Sequence, residues 1–228
     1  SDIRERPVLD RVRAAGVRVS VGHDRSLVHG CEAVTWSTAI PSTNIEVDEA
    51  RRTEVRSMPR AGMLASICAM AKSIAVAGTH GKTSTTSMLM LVLAEAGLRP
   101  SFVIGGDVTD MGTGAQWTGG EWMVVEADES DGTFLHLPTT VAIVTNVEAD
   151  HLNYWESYEA IEDAFVDFVV GTAARDGAAV VCWDDPGARV VARRARERGA
   201  RVITYGTEEG ADAVVGVVVG GNLLQREL

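Results

Sequence analysis

A short glycine-containing segment, Gly78-Thr79-His80-Gly81-Lys82-Thr83-Ser84, carries residue types that bind phosphate. Gly78 and Gly81 let the backbone approach an anion closely, and Lys82 would reach the β- and γ-phosphates of a nucleotide. The hydroxyl of Thr83 is of the kind that ligates Mg²⁺ in such loops. We therefore predict that this whole segment binds ATP and that Lys82 is a catalytic residue.

Lysine is otherwise almost absent from the chain, which makes the position of Lys82 informative. Lys72 and Lys82 are the only two lysines, and arginine supplies the other 19 of the 21 cationic side chains. The segment departs from the general G-x-x-x-x-G-K-[ST] pattern, because Val76 occupies the position of the first glycine. The sequence thus predicts a variant phosphate-binding loop, and the alternative is a glycine turn with a solvated lysine.

Two polar segments follow later apolar runs. Residues 126–131 read Glu-Ala-Asp-Glu-Ser-Asp, and residues 145–152 read Thr-Asn-Val-Glu-Ala-Asp-His-Leu. Because the carboxyl ends of strands line the ligand crevice of an open α/β sheet, we expect Thr83, Glu126 and His151 to converge, with Glu126 as a ligand of Mg²⁺. From the residues alone, His151 is more simply a hydrogen-bonded structural histidine. The residues after Glu126 could form a solvated turn or the N-cap of a following element, or they could assist in binding the metal, directly or through water.

The elements that must position these residues alternate between strands and helices. Short, nearly continuous apolar runs are typical of buried parallel strands, and they occur at 73–77, 102–104, 122–127, 141–147, 178–182 and 201–205. Helical patterns cover 82–96, 158–170 and, approximately, 186–198. This order predicts an α/β fold with a mostly parallel sheet, to which a valine-rich segment at 213–220 would add a strand.

The first part of the chain shows the same alternation. We expect four elements there: a helix around Val8, Val12 and Ala15, strands at 17–22 and 31–37, and a surface helix at 47–56. We divide the sequence into a first domain of residues 1–71 and a second domain of residues 72–228.

The loop and the two polar segments together resemble the Mur ligase family. The resemblance rests on Gly-Thr-His-Gly-Lys-Thr at 78–83 and on the segments at 126–131 and 145–152, and it extends over nearly the whole chain. It implies a P-loop-type central ATPase domain preceded by a Rossmann-like domain, here partial, that binds a uridine nucleotide. It also implies ATP-dependent amide bond formation through an acyl phosphate, in the synthesis of peptidoglycan precursors.

Within this family, the motifs are similar to the branch that joins L-alanine to UDP-N-acetylmuramate, or to a sister branch that adds a preformed tripeptide. The resemblance implies that Asn146 contacts ATP and that His151 ligates a second Mg²⁺, which makes His151 a candidate catalytic residue. Four further residues become candidates for substrate binding: Ser37, Asn44, Ser130 and Asp131.

Composition argues against other classes of function. A formal net charge of −11 disfavours a broad nucleic-acid or anionic-membrane surface. No apolar run approaches the roughly 20 residues of a membrane span, and the N-terminal SDIRERPVLD is not a signal peptide, so we expect a cytoplasmic location. Cys31, Cys68 and Cys182 are widely spaced, which favours buried thiols. The expected partners are the small molecules UDP-N-acetylmuramate, L-alanine and ATP, with no obligate protein partner.

The ends of the chain lack two features of the family. A GxGGxGM-type loop would precede Ser1, and a third domain would follow Leu228, so we expect an incomplete Mur ligase. Two other interpretations stay open, namely a P-loop phosphotransferase or NTPase without ligation, and a nucleotide-binding fragment without catalysis.

Overall fold

The computed structural model describes residues 1–37, 39–41, 43–108 and 112–214, with only the backbone of Asp107. It contains two compact units, Ser1–Leu64 and Ala65–Leu228. The sequence-based division at residue 71 stays a prediction.

The first unit is built on a small parallel sheet. Its elements are α1 (Pro7–Ala14), β1 (Ala33–Trp36), α2 (Ile45–Arg52) and β2 (Arg56–Pro59), with a short 3₁₀ helix at Arg25–Val28. β1 and β2 pair in parallel, with Ala33 opposite Arg56. Asn44 caps α2, because its side-chain oxygen accepts hydrogen bonds from the backbone N–H groups of Glu46 and Val47.

One prediction for this unit is wrong, and a second is wrong only in where the element ends. The expected strand at 17–22 is not formed; within the described residues only Val21 makes a β-bridge, to Asp2, and Val17 and Val21 are about half exposed. The helix expected at 47–56 ends at Arg52, and the chain turns at Glu54, which has a φ of +57°, before it enters β2. Alternation and charge alone do not reveal that a short strand follows this turn.

A helix, α3 (Arg60–Cys68), spans the division between the units, and the second unit follows as a doubly wound α/β fold. Its strands are β3 (Lys72–Ala77), β4 (Ser101–Val108), β5 (Thr113–Gln116), β6 (Trp122–Glu126), β7 (Thr139–Val144), β8 (Ala178–Cys182), β9 (Val202–Gly206) and β10 (Ala213–Val214). Its helices are α4 (Lys82–Glu95), the single turn α5 (Leu152–Trp155), α6 (Tyr158–Gly171) and α7 (Pro186–Glu197), with 3₁₀ turns at Thr133–His136 and Thr172–Arg175.

The sheet of the second unit places β3 at its centre. The strand order is β10-β9-β8-β7-β3-β6-β4-β5, and every neighbouring pair is parallel except β4 and β5. The two strands that flank β3 in the sheet, β6 and β7, come much later in the sequence. Three segments that follow these strands therefore emerge side by side at one edge of the sheet.

Apolar side chains on both faces pack this sheet against its helices. Phe102, Ile104 and Val124 pack beneath α4 together with Met90 of that helix, and all four are buried. On the other face, residues of α6 and α7 such as Phe165 are buried as well. Each fully buried side chain of this size contributes about 1.5–3 kcal/mol, so the centre of the sheet is a rigid base for the loops at its edge.

Most predicted elements of the second unit are present with small changes in their ends. The strand expected at 141–147 covers Thr139–Val144, so Thr145 and the residues after it leave the sheet. The expected strand at 213–220 is seen as β10, and residues 215–220 lie outside the described residues. Among the cysteines, Cys68 is buried and Cys182 is partly buried, but Cys31 is exposed, which contradicts the expectation of buried thiols for that residue. In the described part of the chain, no helix is both long and apolar enough to cross a lipid bilayer.

Candidate functional site

The glycine loop connects β3 to α4. Gly78 and Gly81 have φ angles of +141° and +80°, which side-chain-bearing residues rarely adopt. Gly81 is the N-cap residue of α4, so the first N–H groups of the helix and the positive end of its dipole lie at the loop. Backbone donors in this arrangement can bind an anion without help from side chains.

The segment after β7 holds the loop through hydrogen bonds to its backbone. Asn146 Oδ1 accepts a hydrogen bond from the His80 N–H at 2.7 Å, and Asn146 Nδ2 donates to the His80 carbonyl at 2.9 Å. Thr79 is held from both sides, because its N–H donates to the Asn146 carbonyl and its Oγ1 accepts from the Glu148 N–H. Asn146 therefore positions the loop backbone, and its side-chain amide is already engaged.

This contact explains why residue 78 is glycine. A Cβ atom at Gly78 would lie 2.0 Å from Thr145 Oγ1 and 3.1 Å from the backbone nitrogen of Asn146. Thr145 Oγ1 cannot move freely, since it donates to the His80 carbonyl at 2.8 Å. The close approach of β3 and β7 at their carboxyl ends thus requires a residue without a side chain.

Lys82 points back over the loop and ends in a salt bridge. Its Nζ donates to the Gly78 carbonyl at 2.8 Å and lies 2.9 Å from Glu129 Oε2 and 3.1 Å from Glu129 Oε1. The side chains of Lys82 and Glu129 are only 14% and 4% exposed. The lysine is therefore not solvated, and the alternative of a plain glycine turn with a free lysine does not describe it.

Thr83 and Glu126 meet at the next position of the loop. Thr83 Oγ1 lies 3.0 Å from both carboxylate oxygens of Glu126, and Glu126 Oε2 accepts a hydrogen bond from the Gly105 N–H at 2.8 Å. Glu126 is the last residue of β6, and Gly105 belongs to β4. The carboxylate is thus fixed between two strands and faces the start of α4.

His151 also lies near the carboxylate of Glu129. Its Nε2 is 4.0 Å from Glu129 Oε1 and 3.7 Å from Asp150 Oδ2. Its backbone has a φ of +52° at the start of α5, a conformation uncommon for a residue other than glycine. The structure therefore brings Lys82 and His151 to a shared carboxylate, that of Glu129. Of the three residues expected to converge, Thr83 and Glu126 are in contact, and the part of His151 in that group stays a prediction.

The remaining predicted residues of this unit occupy the rim. His80 is mostly exposed and lies 3.8 Å from Glu148, and Ser84 is exposed in the first turn of α4. Asp131 accepts a hydrogen bond from the Thr133 N–H, and the Ser130 N–H donates to Asp128. These contacts order the turn after β6, and the roles of these residues in binding stay predictions.

The first unit has a cavity of its own, of about 470 Å³. Ser37 and Asn44, the two predicted substrate contacts of this unit, both line it, together with Arg4, Arg6 and His23 among others. Ser1 Oγ, at its wall, lies 2.9 Å from His23 Nδ1 and donates to Glu46 at 2.7 Å. The lining also includes the acidic side chains of Asp2 and Glu46, so the cavity combines charges of both signs with hydroxyl and amide groups, which suits a polar ligand.

The burial of Glu129 is the feature that the sequence did not reveal. The acidic segment 126–131 favours a solvated turn, but Glu129 is nearly fully buried, and its carbonyl accepts a hydrogen bond from Trp155 Nε1 at 2.9 Å. Trp155 lies 26 residues further along the chain and packs edge-on against the buried ring of Phe134. Tertiary packing thus covers an acidic residue that local sequence assigns to solvent.

The oxygen donors at the loop fit a magnesium ion. A hydroxyl on Thr83 and a carboxylate on Glu126 are ligand types that Mg²⁺ prefers. Among the residues that the structure describes, no three or more His, Cys, Asp or Glu side chains form a metal-binding group. An ion here would therefore take its other ligands from water or phosphate oxygens, which is the usual way in which proteins hold Mg²⁺.

Comparison with protein families gives two matches that together cover most of the chain. Residues 76–220 match the Mur ligase middle domain, and residues 1–72 match a domain described as "Mur ligase family, catalytic domain". The chain belongs to the Mur ligase family. The loop, the acidic strand end and His151 all lie within the part that matches the middle domain of Mur ligases.

Curated relatives give a more specific likeness. UDP-N-acetylmuramate–L-alanine ligase of Salinispora arenicola is 46% identical over 93% of this chain, and the enzyme of the same name from Acidothermus cellulolyticus is 48% identical over 92%. The chain spans 41% and 44% of the lengths of these two relatives. The sequence identity to these two relatives is therefore high over the aligned residues, but the alignment covers less than half of each relative.

Solved structures confirm the predicted fold class. The UDP-N-acetylmuramate:L-alanyl-gamma-D-glutamyl-meso-diaminopimelate ligase of Neisseria meningitides superposes with a TM-score of 0.78 at 24% identity, over 92% of this chain and 70% of that one. A UDP-N-acetylmuramate-alanine ligase from Thermotoga maritima gives 0.74 at 24% identity, over 91% and 46%. At this level of identity, the likeness shows that this Mur ligase has the α/β fold with a mostly parallel sheet.

Proposed function

We propose that the chain carries the nucleotide-binding part of an ATP-dependent ligase that joins L-alanine to UDP-N-acetylmuramate through an acyl phosphate. The convergence of Lys82, Thr83, Glu126 and His151 at the carboxyl ends of β3, β6 and β7 supports this proposal most strongly. The names of relatives at 46–48% identity favour L-alanine over a tripeptide as the group that is added.

Charge is the physical difficulty of such a reaction, because an anionic carboxylate must attack an anionic terminal phosphate. The loop amides at the start of α4 would bind the phosphates, and the ammonium group of Lys82 would offset the negative charge that develops during transfer. Thr79, His80 and Ser84 would line the phosphates from the same loop. Asn146 would act by holding the His80 backbone in place.

Thr83 and Glu126 would hold Mg²⁺, and His151 would hold a second ion. Bound Mg²⁺ would neutralise phosphate charge and orient the terminal phosphate. The protein's own contribution is that the Gly105 N–H donates a hydrogen bond to Glu126 Oε2, which fixes the direction of the carboxylate.

The first unit would bind the uridine nucleotide in its 470 Å³ cavity, with Ser37 and Asn44 at the wall. Ser130 and Asp131, in the turn after β6 of the second unit, would contact the acceptor substrate. We propose a boundary between the two domains near residue 71, and a cytoplasmic location that suits small, soluble substrates.

Replacement of Lys82 tests the proposal, and Lys72 is a matched control because it is the only other lysine. The assay is transfer of labelled L-alanine to UDP-N-acetylmuramate with release of phosphate, in the protein as its gene encodes it, including whatever sequence flanks these residues. We expect Lys82→Ala to lower the rate by about 100-fold or more, whereas Lys72→Ala, at an exposed salt bridge with Glu121, should change it by less than about twofold.

Three results would contradict the proposal. Normal ligation by the Lys82→Ala variant would exclude the assigned role of the loop. Phosphate release that needs neither UDP-N-acetylmuramate nor L-alanine would favour a plain phosphotransferase or NTPase. Efficient addition of a tripeptide, with no reaction of L-alanine, would assign the protein to the sister branch.

A further inference from the structure

The cation of the phosphate-binding loop already has an anionic partner within the protein. Lys82 Nζ lies 2.9 Å and 3.1 Å from the two oxygens of Glu129, and its remaining contacts are with the carbonyls of Gly78 and Thr79. All of these partners are negative or partially negative. Without a ligand, the positive charge that should attract phosphate is therefore neutralised.

Glu129 is held in this position and is almost completely shielded from solvent. Its side chain is 4% exposed, and its carbonyl accepts hydrogen bonds from Trp155 Nε1 and from the Gly132 N–H. Within the described residues, Glu129 Oε2 is the buried side-chain oxygen that lacks a hydrogen bond of regular geometry. The contact of Glu129 Oε2 with Lys82 is therefore mainly electrostatic. Because the carboxylate is buried, water cannot replace Lys82 as its partner when a phosphate binds.

We propose that Glu129 makes the loop selective for nucleotide that is complexed with a divalent cation. This inference rests on the proposed nucleotide-binding function. A nucleoside diphosphate carries about three negative charges at neutral pH, and it would have to compete with the buried carboxylate for the single ammonium group. Complexed with a divalent cation, the same nucleotide carries about one negative charge, so its repulsion by Glu129 is much weaker.

The other carboxylates at the loop also repel metal-free nucleotide. Glu126 lies against Thr83, and Asp150 lies against His151, so acidic groups outnumber the one lysine around the loop. Glu126 is a proposed metal ligand and gains from the cation directly. Glu129 differs from Glu126 because the partner of Glu129 is Lys82. Glu129 should therefore weaken the affinity of the loop for metal-free nucleotide.

The test is to measure the Kd of ADP by titration calorimetry in Mg²⁺ and, separately, in EDTA, for the protein as its gene encodes it and for its variants. In the unaltered chain we expect the Kd to be at least about 100-fold higher in EDTA. Glu129→Gln keeps the shape and removes the charge, so it should tighten metal-free ADP binding by about tenfold or more while the Kd in Mg²⁺ changes by less than about threefold. Glu121→Gln, which breaks the exposed salt bridge of the other lysine, should leave both Kd values unchanged.

Each result separates this inference from the proposed function. Absence of ADP binding in Mg²⁺ by the unaltered chain would contradict the proposed function itself. If that binding is normal, similar Kd values with and without metal in the unaltered chain would overturn the role of Glu129, even if Glu129→Gln does not fold. A Glu129→Gln variant that binds ADP more weakly under both conditions would also overturn it, because Glu129 would then only hold Lys82 in position.

Discussion

Replacement of Gly78 by alanine should damage this protein far more than the same change at Gly81. At Gly78 the new methyl group would lie 2.0 Å from Thr145 Oγ1 and 3.1 Å from backbone atoms of Asn146, at a φ of +141°. At Gly81 the φ is +80°, and no atom lies within 4 Å of the new methyl group. The two changes thus share an unfavourable φ, but only the first produces a steric overlap.

The magnitude follows from these two contributions. A left-handed backbone costs a residue with a side chain about 1–2 kcal/mol, which is the whole expected loss for Gly81→Ala. Gly78→Ala adds overpacking of about 1–3 kcal/mol, and its total should be about 2–5 kcal/mol. Since 1 kcal/mol corresponds to roughly 3 °C for a unit of this size, we expect the melting temperature to fall by about 6–15 °C for Gly78→Ala and about 3–6 °C for Gly81→Ala.

Differential scanning calorimetry of the two variants measures this difference directly. Removal of the Thr145 hydroxyl in the background of Gly78→Ala, as Thr145→Ala, should restore part of the loss, because the 2.0 Å contact disappears while the backbone contacts stay. Equal melting temperatures for the two glycine variants would refute the reasoning, since close approach of the loop to the end of β7 could not then be the reason for glycine at position 78.

Two further predictions concern polar contacts. Asn146→Ala removes both hydrogen bonds to the His80 backbone, so the free energy of unfolding should fall by about 1–3 kcal/mol in urea titrations, and Asn146→Asp, which keeps one acceptor, should lose less. In the first unit, hydrogen bonds from Arg52 lower the pKa of Glu49 from its ordinary value of 4.5 to about 2, although burial of the carboxylate acts to raise it. The ionised Glu49 side chain therefore stabilises the fold fully above pH 4.5, and this stabilisation is lost as the pH falls towards 2. Glu49→Gln should make the melting temperature depend less on pH in this range. An unchanged pH dependence in the variant would contradict the assignment.

The parts of the site that sequence could predict are those encoded locally. An apolar run, a glycine turn and a helical pattern occupy consecutive residues, so the positions of β3, the loop and α4 follow from residues 72–95 with small changes at the ends. The contact of Glu126 with Thr83 could be anticipated as well, because parallel strands bring their carboxyl ends to one edge.

The parts that could not be predicted depend on contacts distant in sequence. The burial of Glu129 needs Trp155, and the engagement of Asn146 with the loop depends on the pairing of β7 with β3. The absence of the strand expected at 17–22 has a similar cause, because the alternation of valines does not tell whether a neighbouring strand exists to pair with it.

The two lysines occupy opposite ends of the central strand, and this gives the protein a natural site for chemical labelling. Lys72 begins β3 and has a largely exposed side chain, whereas Lys82 is covered by Glu129 beyond the other end of the strand. An amine-reactive fluorophore should therefore attach to the side chain of Lys72 in preference to that of Lys82. The dye would sit about 20 Å from the loop, the length of a six-residue strand, close enough to report on the loop by energy transfer and far enough not to obstruct it.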